Sequence, residues 1–136
     1  MTQILIIEDE AEIRNEVMDW LTFEGYEVRD AANGKLGLEA INQSIPDLIL
    51  CDIAMPELNG REVLIEVRSK THLSHIPFIF LTAASDRDSI RKGMELGADD
   101  YLTKPFTHAE VLKAVRSRLE RKVIQERQVQ TQIDTL

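Results

Sequence analysis

The length, composition and charge of this chain describe an ordinary globular domain and exclude several other classes of protein. Its 136 residues suit one domain, and 43% hydrophobic with 29% charged residues argues against disorder. The net charge of −8 argues against a nucleic-acid surface, which needs clustered Lys and Arg. We expect neither a bilayer-spanning segment nor a signal peptide, and the single cysteine fits a reducing compartment. We therefore expect a cytoplasmic protein without direct contact to nucleic acid or membrane.

Apolar runs alternate with stretches of helical periodicity, and this alternation predicts a βαβ succession with a parallel sheet. Strands are predicted near residues 3–8, 26–30, 47–52, 76–82 and 100–103. The first, third and fourth are continuous apolar runs, which is typical of strands covered by helices on both faces. The second alternates between apolar and polar residues, so it suits an edge of the sheet.

Helices are predicted between and after these strands. Gly25 ends the first helix, and Pro46 prevents the second from continuing beyond Ile45, which we expect to be buried. The other helices begin at capping residues, which are Asn33, Asn59 with Glu62, Ser85 with Asp88, and Thr107 with Glu110.

The last predicted helix has no stop signal, because neither Gly nor Pro follows Thr107. Its continuation has a seven-residue seam interrupted by two charges: Leu112, Val115, Leu119, Lys122, Glu126, Val129, Ile133 and Leu136. Two interpretations stay open, a solvated and partly frayed helix or a linker helix that leads to a further domain. We favour the second, with a main domain over residues 1–120 and a helical linker over 121–136.

Reactive polar side chains stand at the ends of four predicted strands: Glu8 and Asp9, then Asp52, then Thr82, then Lys104. The carboxyl ends of parallel strands share one edge, where open α/β sheets hold their ligands. We therefore expect carboxylates, a hydroxyl and an ammonium around one point. Mg²⁺ prefers oxygen ligands, while Lys104 and Thr82 would bind phosphate oxygens. A carboxylate in such a site can accept a phosphoryl group.

Four motifs resemble the receiver domain of bacterial two-component response regulators. They are Ile-Leu-Ile-Ile-Glu-Asp-Glu from Ile4, Asp-Ile-Ala-Met-Pro from Asp52 with Gly60, Leu-Thr-Ala from Leu81, and Leu-Thr-Lys-Pro-Phe from Leu102. The resemblance covers about residues 2–120, with the motifs at the spacing of the family. It implies a doubly wound, five-stranded parallel α/β sheet of flavodoxin-like strand order 2-1-3-4-5, followed by an extended C-terminal helix.

The resemblance also implies a role for individual residues. Asp52 matches the phosphoacceptor, Lys104 the phosphate-binding lysine, Thr82 the switch hydroxyl and Tyr101 the switch aromatic residue. The implied ligands of Mg²⁺ or Mn²⁺ are Glu8, Asp9, Asp52 and the backbone carbonyl of Ala54. The Lys104–Pro105 peptide is expected to be cis. Ala54 and Ala84, two residues after the phosphoacceptor and the switch threonine, imply intermediate to slow self-dephosphorylation.

The implied function is a phosphorylation-dependent signalling switch, which takes a phosphoryl group from a phosphohistidine onto Asp52. The donor would be a sensor histidine kinase or a histidine phosphotransfer domain. The change would be relayed to a C-terminal output domain, of which a histidine kinase is one option, or to a second copy through the last helix. Such a domain assists its own phosphorylation and dephosphorylation but is not otherwise an enzyme.

Three other functions match parts of the pattern. Phosphatases of the haloacid dehalogenase class need a second Asp two residues after the nucleophile, where this chain has Ala54. A flavin-binding module needs a hydroxyl- or glycine-rich loop after the first strand, and Glu8, Asp9 and Glu10 would repel a phosphate there. A degenerate receiver that acts through protein contacts alone is disfavoured, because the residues for phosphorylation are intact.

Overall fold

The computed structural model describes residues 1–83 and 85–135, with no side-chain detail for 131–135. Strands and helices alternate as β1 (Gln3–Ile7), α1 (Ala11–Phe23), β2 (Glu27–Ala31), α2 (Gly34–Gln43), β3 (Leu48–Asp52), α3 (Gly60–Ser69), β4 (Phe78–Ala83), α4 (Arg87–Glu95), β5 (Asp100–Lys104) and α5 (His108–Thr135). Ala84, Leu136 and the side chain of Ile133 lie outside this description, so the predictions made for them stay untested. In the described part, no helix is both long and apolar enough to cross a membrane.

The strands form one parallel sheet in the order β2-β1-β3-β4-β5, which confirms the predicted topology. All of β3 is buried, whereas β2 stands at an edge of the sheet, as its sequence pattern predicts, and is mostly half-buried or exposed. One face of the sheet packs against α2, α3 and α4, with Leu5, Ile49 and Phe80 in that core. The other face packs against α1 and α5, with Ile4 and Leu50 in the second core.

Most of the predicted helix starts are confirmed. The side chain of Asn33 accepts a hydrogen bond from the backbone of Leu36 at 2.8 Å. Reciprocal capping hydrogen bonds join Asn59 to Glu62 and Thr107 to Glu110. These caps satisfy backbone N–H groups that have no partner inside the helix.

Two local predictions are wrong. The fourth helix begins at Arg87 and has no side-chain cap, because Asp86 first donates its backbone N–H to Ala83 in a turn after β4. Ile45 is 52% exposed rather than buried. Its helix already ends at Gln43, so Ile45 lies in the connection before Pro46 and not on the inward face.

The last helix is continuous to Thr135, as the missing stop signal predicts. Val111 and Val115 are buried against the sheet, whereas Val123, Ile124 and Val129 further along are exposed. One contact between the extension and the rest of the chain is made by Lys122, whose Nζ lies 3.6 Å from Oδ1 of Asp47. The predicted linker role of this extension stays a prediction.

Candidate functional site

Three carboxylates converge at the carboxyl edge of the sheet. One oxygen each from Glu8, Asp9 and Asp52 lies within 4.8 Å of the others. Glu8 is fully buried and Asp52 is 3% exposed, whereas Asp9 faces solvent. The acidic cluster predicted from the strand ends is therefore present in the fold, with one side open to a ligand.

Strand register explains this convergence. Ile7 of β1 lies opposite Cys51 of β3, so the next residue of each strand, Glu8 and Asp52, emerges at the same level of the sheet edge. Two strands further along, β5 ends at Lys104, and the Lys104–Pro105 peptide is cis as the resemblance implied.

A glycine lets α3 approach the end of β3 closely. A Cβ on Gly60 would lie far inside van der Waals contact with the backbone oxygen of Asp52. The backbone N–H of Gly60 donates to the carbonyl of Ile53 at 2.9 Å. A side chain at position 60 would therefore displace the segment that holds Asp52.

Lys104 places one ammonium among three carboxylates. Its Nζ lies 2.7 Å from Oε1 of Glu8, 3.5 Å from Oδ2 of Asp52 and 3.7 Å from Oε1 of Glu10. Burial opposes the charged form, but the Glu8 contact and the surrounding negative charge outweigh it and raise the pKa of Lys104. The ammonium therefore stays charged, although one positive charge does not balance the cluster.

The excess negative charge appears in the acidities of the carboxyl groups. Burial, together with the neighbouring Glu8 and Asp9, raises the pKa of Asp52 to about 8, although Lys104 acts in the opposite direction. Burial also opposes ionisation of Asp9, but hydrogen bonds with Asp52 and Glu8 and the charge of Lys104 lower the pKa of Asp9. These opposite shifts are typical of carboxylates that share too little positive charge.

The donor set fits a hard divalent cation. All the candidate ligand atoms are carboxylate oxygens, and Mg²⁺ binds oxygen ligands while keeping several waters. Oε1 of Glu8 is buried and has Nζ of Lys104 beside it at 2.7 Å, so a positive charge already stands at this oxygen. The backbone N–H of Ala54 donates to Oδ1 of Asp52 at 3.3 Å, while the ligand role of the Ala54 carbonyl stays a prediction.

The two predicted switch residues occupy different environments. Thr82 is buried at the end of β4, and its hydroxyl donates to the carbonyl of Ala83 at 3.4 Å, a long contact that constrains it weakly. Tyr101 lies near the start of β5 and is 41% exposed. Their coupling is not tested by this geometry and stays a prediction.

Sequence reasoning missed Arg14 and the contact between Glu10 and Lys104. Arg14 donates from Nη1 to the backbone carbonyl of Glu8 at 2.8 Å, and its Nε lies 3.1 Å from Oδ2 of Asp30. The sequence did carry a signal, because a basic side chain near a helix N-terminus opposes the helix dipole. An arginine in the first turn of α1 therefore indicates a partner outside that helix.

Comparisons with known proteins agree with this site and fold. The sequence matches the response regulator receiver domain over residues 4–116, and the chain belongs to that family. It is 42% identical over 119 residues to the probable transcriptional regulator ycf27 of Porphyridium aerugineum, covering 88% of this chain and 48% of that protein. It is 41% identical over 122 residues to the transcriptional regulatory protein PcoR of Escherichia coli, covering 89% and 53% respectively. The chain thus spans about half the length of these curated relatives.

Solved structures give the same result. The chemotaxis protein CheY4 of Vibrio cholerae superposes with a TM-score of 0.81 at 31% identity, covering 86% of this chain and 98% of that one. NtrX from Brucella abortus superposes with a TM-score of 0.90 at 26% identity, covering 96% of this chain and 30% of that one. The chain is therefore a receiver domain of the kind used in two-component systems.

Proposed function

We propose that this receiver domain is a phosphorylation-dependent switch with Asp52 as its phosphoacceptor. The observation that carries the proposal is the convergence of Glu8, Asp9 and Asp52 beside Lys104 at one sheet edge. A carboxylate needs charge neutralisation and alignment before it can attack a phosphoryl group. The cluster offers the ligands for neutralisation, and Lys104 offers a cation for the incoming phosphate.

Mg²⁺ or Mn²⁺ would be held by the carboxylates of Glu8, Asp9 and Asp52 together with the carbonyl of Ala54. When bound, the ion supplies positive charge that offsets the repulsion between the acidic cluster and a phosphoryl group. Asp52 also lies close enough to Lys104 for the ammonium to move from Glu8 toward a phosphate oxygen. The buried Thr82 hydroxyl, whose contact with the Ala83 carbonyl is long, would rotate toward another phosphate oxygen.

The proposed transfer balances as a substitution at phosphorus. An oxygen of Asp52 forms the new O–P bond, while the P–N bond of a phosphohistidine breaks and its electron pair returns to the imidazole. The donor is a sensor histidine kinase or a histidine phosphotransfer domain. Independent turnover of other substrates is not part of the proposal, because the position that a haloacid dehalogenase phosphatase uses for its general acid is Ala54.

The output of the switch is proposed to lie beyond the receiver. Reorientation of Thr82 and Tyr101 would alter the surface next to β5, and residues 121–136 would connect this domain to a C-terminal output domain. A histidine kinase remains one candidate output, as does pairing with a second copy through α5. The relatives ycf27 and PcoR are described as transcriptional regulators, so a transcriptional output is a further candidate.

The test is covalent labelling with a small phosphodonor. Incubation with Mg²⁺ and acetyl phosphate should add one phosphoryl group to the wild-type protein, as measured by intact-mass spectrometry. Asp52→Asn should show no adduct. Asp47→Asn is the matched control, because Asp47 precedes the same strand at its opposite end. Full labelling of Asp52→Asn would refute the assignment.

A further inference from the structure

We propose that Arg14 is a positioning residue for the acidic loop, defined here as Glu8 to Glu10. This inference rests on the proposed function, since the acidic loop supplies two of the proposed metal ligands. Arg14 belongs to α1 and contacts the backbone of the loop. It makes its hydrogen bond to the Glu8 backbone rather than to the three clustered carboxylates.

The arginine completes the anchoring of the Glu8 backbone. The N–H of Glu8 donates to the carbonyl of Ala31 at 3.0 Å, which fixes one side of this peptide. The carbonyl of Glu8 accepts from Nη1 of Arg14 at 2.8 Å, which fixes the other side. Both backbone groups of a fully buried acidic residue are therefore held by neighbouring elements.

The guanidinium is itself held in place. Its Nε lies 3.1 Å from Oδ2 of Asp30 at the end of β2, and the Arg14 side chain is only 16% exposed. A planar guanidinium with two fixed partners has little freedom to follow the loop if the loop moves. Asp30 therefore orients Arg14, and Arg14 orients Glu8.

The acidic loop needs such a restraint. Glu8 follows Ile7, the last paired residue of β1, so the pairing of the sheet does not hold the loop beyond that point. A divalent cation binds best when its ligands already stand at the correct separation. Without Arg14, the loop would have to return to its binding position when the ion binds. That rearrangement would reduce the binding free energy of the ion.

The experiment measures binding of Mg²⁺ alone by isothermal titration calorimetry. We expect Arg14→Met to weaken Mg²⁺ binding by about tenfold, the lower end of the effect of residues that orient metal ligands. Arg14→Lys keeps the charge but reaches one partner at a time, so it should recover part of the affinity. Asp30→Asn keeps the Glu8 contact and should have a smaller effect than Arg14→Met.

Arg29 offers a matched control at a distance from the acidic loop. It also donates to backbone carbonyls, one of them that of Ala40 at 2.9 Å, but it holds α2 rather than Glu8. Arg29→Met should leave the Mg²⁺ dissociation constant within twofold of the wild type, whatever it does to the melting temperature. A loss of affinity equal to that of Arg14→Met would mean that general destabilisation causes the effect.

A kinetic readout separates positioning from chemistry. With acetyl phosphate as donor, Arg14→Met should label more slowly than wild type at low Mg²⁺ and recover at saturating Mg²⁺. A slow rate that persists at saturation, or unchanged Mg²⁺ affinity in Arg14→Met, overturns the inference. If Arg14→Met does not fold, unchanged affinity in both Arg14→Lys and Asp30→Asn overturns it equally. Wild-type protein that neither binds Mg²⁺ nor becomes labelled would instead refute the proposed function.

Discussion

The carboxyl ends and the amino ends of the strands, called here the carboxyl edge and the amino edge, carry the same kinds of charged side chain. They differ in how well those charges are balanced. At the carboxyl edge, Lys104 faces several carboxylates, and Asp52 is left with a raised pKa. At the amino edge, Arg68 reaches Asp99 at 3.0 Å and donates to the carbonyls of Ser74, Ile76 and Gly97. Asp99 in turn accepts from the backbone N–H of Phe78 at 2.8 Å.

This difference separates a structural cluster from a functional one. At the amino edge each charged group has a partner of opposite charge or a backbone partner, so the cluster needs nothing more. At the carboxyl edge negative charge exceeds positive charge in the absence of an ion, so the cluster costs stability that a cation can restore. An unbalanced cluster of this kind, in an otherwise well-paired domain, is what identifies the site physically.

The largest effect is expected at the amino edge. Arg68→Met should lower the free energy of unfolding by about 2 to 3 kcal/mol, because it leaves Asp99 without its ion pair and several carbonyls without a donor. Urea denaturation measures this loss. Arg91→Met, at an exposed position of α4, should stay within about 0.5 kcal/mol of wild type. Equal losses from both variants would show that the amino-edge cluster is not a stabilising unit.

Sequence reasoning predicted the carboxyl edge much better than the amino edge. Polar residues at the ends of apolar strands are visible in the sequence, and parallel topology brings Glu8, Asp52 and Lys104 together. Arg68 and Asp99 escaped notice, because nothing in a helical arginine and a loop aspartate indicates which backbone carbonyls they will meet. For Arg14 the sequence indicates that a partner is needed outside its helix, but not that the partner is the backbone carbonyl of Glu8.

The local errors have a related cause. Ile45 was assigned to a buried face because the helical period reaches it, yet the helix ends two residues earlier. Ser85 has the right residue type for a cap, but a turn after β4 takes up that segment. In both cases the path of the chain between a helix and a strand decides where the helix begins or ends. That path overrides the helical period and the cap preference of single residues.

Magnesium should distinguish the two edges. At about 100 times its dissociation constant, Mg²⁺ should raise the free energy of unfolding of the wild type by about 2.7 kcal/mol, since it binds the folded state. Arg68→Met should have a lower free energy of unfolding but show the same increase with Mg²⁺. The reason is that the two edges lie at opposite ends of the strands and share no partners among the residues described. Asp52→Asn should show a much smaller increase. A reduced response in Arg68→Met would mean that the two edges are coupled.

The smallest effect concerns the metal-free carboxyl edge. In EDTA at neutral pH, Asp52→Asn should be more stable than wild type by about 1 kcal/mol, because the wild type must take up a proton at Asp52 on folding and the amide need not. The sign of the pH dependence follows from the pKa of Asp52, which folding raises from 3.8 to about 8. The wild type should therefore lose stability as pH rises from about 4 to about 8, while Asp52→Asn should not share that loss.

The advantage of Asp52→Asn should thus widen with pH in that window and disappear near pH 4. Asp99→Asn is the control at the other edge and should destabilise the protein throughout, because Asp99 is paired with Arg68. Urea denaturation of the three proteins at several pH values measures these differences. An Asp52→Asn variant less stable than wild type at every pH would show that the carboxylate is stabilised by its surroundings even without an ion. The contrast between a satisfied and an unbalanced edge would then no longer hold.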